Sequence, residues 1–258
     1  MAGATGSVDR PEWSIGGLAT QANPAFAAGA VALPLLALGG ALAVGGVREL
    51  TYVHVMAGVL WTGIDLFMGL VLGPVVGGLD PEQRASFFAR FTPKMTFLMP
   101  TLATVTITGG IVLAMETGRF PNADPWLALL TAATLVPVVV LIGWQFDAFD
   151  DRRLQAALAL AVLVSGGYLA VTLPAFAMTN GWTAAALGIV ALLSINGFGV
   201  VMPGEVKIYR EIASGDPDTE VVSRIGMRNA KLGGLQGLLQ LSIVFLMVGL
   251  RWGGGGLL

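Results

Sequence analysis

Residues 52–74, YVHVMAGVLWTGIDLFMGLVLGP, are apolar enough to cross a bilayer, yet they hold the only histidine of the chain, His54, and a carboxylate eleven residues later, Asp65. At 3.6 residues per turn, His54, Gly58, Trp61, Asp65, Met68 and Leu72 fall in one narrow stripe. Neutral imidazole in such a place can ligate a metal or haem iron, shuttle protons, or hydrogen-bond a neighbouring helix. A carboxylate surrounded by hydrocarbon must find a donor or carry a proton. Asp65 is therefore a candidate proton relay, and both groups are expected to face an interior, with Gly58 leaving room beside the imidazole.

Other segments carry polar residues that could meet this stripe. Thr101, Thr104 and Thr108 share a face, with Lys94 below them, though a membrane threonine ordinarily bonds to a carbonyl of its own helix. Near the C-terminus, Asn229, Gly233, Gln236, Gln240 and Met247 form another stripe, and Asn196 adds an amide from the preceding segment. Gln236 and Gln240 are expected either to line a pocket or to join helices by hydrogen bonds. Met115, Met247 and Glu116 fall at a depth similar to that of His54. A His/Met haem site is thus open to the chain, whereas two histidine ligands are not.

Composition sets the medium. Of 258 residues 55% are hydrophobic and 12% charged, about half the charge of an ordinary soluble domain. Mean hydropathy is +0.78. Several runs exceed about 20 apolar residues, and they are continuous rather than alternating, so spanning helices are expected and a spanning barrel is not. A net charge of −2 argues against nucleic acid as a partner. No cysteine is present, which excludes disulfides, cysteine-ligated iron–sulfur clusters and covalent c-type haem.

The pattern predicts an all-α integral membrane protein of seven helices, at 25–46, 51–77, 96–117, 125–146, 154–178, 182–203 and 232–252. The first of these has a re-entrant hairpin as its alternative. Residues 1–24 read as a polar lead-in, not a cleaved signal peptide, with Trp13 at the interface, and 253–258 as a flexible tail. Eleven Lys and Arg fall on one side of this topology and three on the other. The positive-inside rule then puts the N-terminus in the cytoplasm and the C-terminus outside a cell membrane. Lys231, at the start of the seventh helix, is out of place for a Schiff base of the light-driven opsin kind.

Two segments on the basic side look alike. Pro74 leads through LDPEQRASFFARFTPK into the third helix, and Pro203 leads through SGDPDTEVVSRIGMRNAK into the seventh. We read a weak internal repeat of two helix pairs, parallel in topology. Helices two, three, six and seven would then form a four-helix core.

A helix with HxxxxxxW, a Pro at its basic end, a basic amphipathic segment and then ITGGIVLA resembles a superfamily of small polytopic membrane proteins. It includes copper-resistance protein D-like domains, urate oxidase membrane domains and J-type protoporphyrinogen oxidases. The resemblance covers residues 50–115 best and, through the repeat, 190–250. It implies that His54 is an axial ligand of haem b, with Trp61 beside the porphyrin and Arg90 and Lys94 as the matching basic positions. The resulting expectation is a haem b membrane protein that passes electrons, as an oxidoreductase or a cytochrome-like subunit, with a quinone or redox subunit as partner. Gln236, Gln240 and Met247 would line the pocket, and homo-oligomerisation is open. The alternatives are a cofactor-free transporter or channel whose path runs along His54 and Asp65, and a structural subunit whose polar residues only join helices.

Overall fold

The computed structural model describes residues 14–252; the lead-in through Trp13 and the tail 253–258 lie outside them. Among the described residues there is no strand, and seven helical segments are long and apolar enough to span a bilayer. The protein is an all-α, multi-pass integral membrane protein built as a seven-helix bundle.

A short helix α1 (Ile15–Ala22) occupies part of the expected lead-in. Asn23 then turns the chain at positive φ, and its side chain accepts from the amides of Ala25 and Phe26, capping α2 (Pro24–Ala43) with Pro24 in its first turn. α2 is one continuous helix, which removes the re-entrant alternative. After a Gly45–Gly46 turn, the Gly46 amide donates to Glu49 and starts α3 (Val47–Phe67), a turn earlier than expected. His54 accordingly sits about two turns inside its helix rather than one.

α3 ends in a five-residue π-helical turn, Met68–Leu72, that runs into α4 (Gly73–Gly77). The cause is Pro74. It has no amide hydrogen to give to the carbonyl four residues back, and its ring crowds that carbonyl. The Gly73 amide reaches instead to the carbonyl of Met68, five residues back. The same device recurs in the sixth span. α8 (Gly181–Asn196) passes through a π-helical turn, Gly197–Val201, into α9 (Met202–Ala213), with Pro203 placed as Pro74 is and the Met202 amide on the Gly197 carbonyl.

The segments after these prolines are helical rather than loop. α5 (Pro81–Glu116) and α10 (Thr219–Trp252) begin well before the expected third and seventh helices. Asp80 caps the first and Asp218 the second through their carboxylates. At 1.5 Å per residue these helices run about 50 Å, against about 30 Å of hydrocarbon. Their amphipathic first turns project beyond the bilayer. There Val76, Phe88, Ile208 and Val222 from α4, α5, α9 and α10 form a second small core. The sixth span likewise does not stop at Pro203, and Lys231 lies twelve residues inside α10 and exposed.

The main core joins Leu50, Trp61, Leu102, Val105, Leu193 and Ile243 from α3, α5, α8 and α10. α10 packs against α3, α5, α8 and α9, so the four-helix centre stands as expected. α2 lies outside α3 and α5. The hairpin of α6 (Ala123–Phe146) and α7 (Arg152–Thr172) rests on α8 through α6. Close approach is carried by glycine: a Cβ added at Gly69 would collide with the Gly234 backbone across the α3–α10 seam.

Candidate functional site

The predicted stripe of the second span holds from His54 through Trp61 to Asp65, all three buried. Beyond Asp65 it widens, because a π turn has more residues than an α turn. Met68 keeps its place beside Asp65 on the chamber wall and against Gly233, and Gly69 and Gly73 join the packed face, Gly69 against Gly234.

His54 Nδ1 lies 2.8 Å from the backbone carbonyl oxygen of Thr106 on α5. A carbonyl can only accept, so Nδ1 carries the proton and Nε2 keeps its lone pair. No group among the described residues pairs with Nε2. The ring rests on the glycine pair of ITGG: a Cβ at Gly110 would stand 2.7 Å from His54 Cε1, and one at Gly109 3.3 Å from His54 Cβ. The room beside the imidazole therefore comes from Gly109 and Gly110. Gly58, expected to leave room there, lines the same cavity as His54 and also receives the methyl of Thr106.

His54 lines a cavity of about 370 Å³ between α3, α5, α8 and α10, whose walls are almost wholly apolar. Trp61, Gln240 and Met247 line the same cavity, so four of the expected site residues meet there. Its end is tied down by two bonds: Arg119 Nε donates to the Leu250 carbonyl at 2.9 Å, and Thr183 donates to the Arg119 carbonyl at 2.8 Å.

Gln236 does not join this group. It belongs to a second, smaller cavity of about 80 Å³ toward the basic end of the bundle, together with Asp65. Trp61, Ile107 and Leu193 line both cavities and so form the septum between them. Gln240 crosses it: a wall residue of the His54 chamber, it donates through Nε2 to Asp65 Oδ2 at 2.8 Å. The buried carboxylate thus has the donor that its position demands. Gln236 Nε2 donates to the Leu193 carbonyl at 3.3 Å.

Other expected residues take ordinary roles. Thr101 and Thr104 return their hydroxyls to the carbonyls of Phe97 and Pro100 on α5. Met115 and Glu116 are exposed and line neither chamber. Arg90 donates to Ser86 and Lys94 to the Arg90 carbonyl, both on their own helix, and neither lines a cavity. Among the described residues no group of three or more His, Cys, Asp or Glu converges as a metal cluster.

One participant was passed over in the sequence. Glu205, in the first turn of α9, lines the Asp65 chamber and accepts from Asn229 Nδ2 at 2.8 Å. The signal was available, since a helix running through Pro203 carries Glu205 inward as Asp65 is carried. Ending the span at that proline hid it.

Comparisons with protein-family models, with curated proteins and with solved structures give no match to this chain. What the protein does must be argued from the two chambers.

Proposed function

We propose that the protein is a haem b-binding membrane protein that passes electrons, as an oxidoreductase or as the cytochrome-like subunit of one, with His54 as the axial ligand. The observation that carries this reading is the Nδ1–H···O=C bond to Thr106. Histidines that ligate metals characteristically donate their other ring nitrogen to a fixed acceptor, which sets the tautomer and raises ligand basicity. His54 lies on the wall of an apolar chamber whose volume falls in the range of about 300–1,000 Å³ common for cofactor sites.

The residues present fit the group. His54 supplies the nitrogen ligand, Met247 a thioether on the same chamber, and Trp61 an aromatic face. Arg119 does not line the chamber but ties its end through the Leu250 carbonyl. Bound haem would supply one-electron chemistry within the bilayer. The chain's own contribution is to exclude water from the chamber, to fix the imidazole against Gly110, and to keep Asp65 bonded to Gln240 one residue layer away. Asp65 is the proton relay in this account, its carboxylate exchanging protons next to the chamber wall. A quinone on one side and a redox subunit on the other are the partners such a protein requires. By the charge bias, the basic end faces the cytoplasm of a cell membrane.

Haem content tests the proposal. The purified protein is expected to give a pyridine haemochrome of b type near one haem per chain, and His54→Ala to lose it. A colourless protein from haem-replete cells would instead favour the second reading, a path for a small solute or ion. That reading is supported by the alignment of the two chambers across a single septum of Trp61, Ile107 and Leu193.

A further inference from the structure

The smaller chamber is not used by the haem reading beyond Asp65, yet its wall has hydrogen-bonding capacity to spare. Asp65 takes Gln240 Nε2 on Oδ2, while Oδ1 accepts no hydrogen bond among the described residues. The Trp61 indole lies close by on the same helix but forms no hydrogen bond of ordinary geometry to it. Gln236 spends Nε2 on the Leu193 carbonyl and leaves Oε1 without a donor. Both side chains are more than nine-tenths buried, at 3% and 5% exposure. Neither oxygen is sealed off as Glu205 Oε2 is, and both residues line this chamber alone. Two buried acceptors without donors thus face one apolar space, which is costly unless something donates to them.

The two acceptors stand on different sides of it. Asp65 Oδ1 lies over Gly233, 3.3 Å from where an added Cβ would be, and the Gln236 amide is turned to the α8 side, its Nε2 3.3 Å from a Cβ added at Gly197. Phe91 and Phe198 present rings to the chamber, and Met95 and Met99 thioethers, groups that pack well on a flat ring. The volume of about 80 Å³ is that of about six waters at 10–15 Å³ each, which suits one six-membered ring. α5 leaves α8 here and packs on α9 instead, and Met95, Met99 and Phe198 at this gap are only half-buried, so the chamber opens sideways to the bilayer. On another side the septum of Trp61, Ile107 and Leu193 is shared with the His54 chamber.

We propose that this chamber binds the hydroquinone head of a lipid-soluble quinol, one O–H donating to Asp65 Oδ1 and the opposite O–H to Gln236 Oε1, with the tail leaving between α5 and α8. A flat ring with a donor at each end supplies what the two acceptors lack and brings no charge into the bilayer. That the guest is a redox carrier rests on the haem reading; its place and its two donors rest on this chamber.

The test uses the full chain in quinone-free lipid nanodiscs under anaerobic ascorbate, which keeps the probe and any haem reduced. Trimethylhydroquinone is the probe, and trimethylbenzene is the same ring without hydroxyls. Calorimetry is expected to give saturable binding of the hydroquinone that the hydrocarbon does not compete away. Asp65→Asn should weaken it roughly tenfold, the scale of one charge-assisted contact. Gln236→Leu should weaken it several-fold, and Glu205→Gln and His54→Ala should leave it unchanged. Saturating hydroquinone should also protect Asp65 in the wild type from labelling by dicyclohexylcarbodiimide, read by mass spectrometry. That measurement decides the matter should Asp65→Asn not fold. Absence of saturable binding, equal competition by trimethylbenzene, an unaffected Asp65→Asn variant, or an Asp65 that hydroquinone does not protect would each overturn the proposal. Binding to a wild-type protein that carries no haem would retire the haem reading and leave this site standing, whereas haem without binding would do the reverse.

Discussion

Gln240 Nε2 donates to Asp65 Oδ2 at 2.8 Å, joining two buried side chains 175 positions apart in the chain. The pair ties α10 to α3 at the level where the two chambers meet. Replacing Gln240 by Leu would leave the carboxylate without its donor, at a cost of about 1–3 kcal/mol. Asp65→Asn keeps a hydrogen bond between two amides and is expected to cost less. Thermal unfolding of the variants in one detergent checks this. A Gln240→Leu protein as stable as wild type would mean that Asp65 finds another donor.

Gly110→Ala tests how the imidazole is seated. Its Cβ would press to 2.7 Å from His54 Cε1, so the ring must move and the Thr106 bond must break. The expected result is loss of haem with the helices intact, read from absorption and far-UV circular dichroism together.

Glycines elsewhere divide by what surrounds them. Gly69→Ala collides with the Gly234 backbone and should lower the unfolding midpoint sharply. Gly63→Ala meets nothing within 4 Å and should be neutral or stabilising by up to about 1 kcal/mol, the helix-propensity difference. The contrast within one helix separates close packing from propensity.

The repeated capping carboxylates should behave as a pair. Asp80→Ala and Asp218→Ala each remove the acceptor for a first-turn amide and should each cost roughly 1 kcal/mol. Hydrogen exchange localised to the first turns of α5 and α10 would read the loss.

Much of this molecule was legible in the sequence because hydropathy and helical period are local properties. Seven spans, the His54–Trp61–Asp65 face and the paired prolines all follow from them. What was not legible arose from effects that cross the chain or break the period. The π turns at Met68–Leu72 and Gly197–Val201 break the period, so that Gly69 meets Gly234 while Met68 still faces the chamber, and no 3.6-residue stripe anticipates that. Reading the basic segments after Pro74 and Pro203 as loops hid the helical starts of α5 and α10, and ending the sixth span at Pro203 hid Glu205. The division into two chambers, which puts Gln236 apart from His54, depends on where Trp61, Ile107 and Leu193 meet in space.

The central claim is that His54 Nε2 is a haem ligand, and it is tested most directly by reduced-minus-oxidised absorption spectra of wild type and His54→Gly, the variant measured with and without added imidazole. The account predicts sharp b-type bands in wild type, their loss in the variant, and their return when imidazole fills the vacated space beside Gly110. Bands that persist unchanged in His54→Gly, or a wild-type protein with no bands at all, would contradict it.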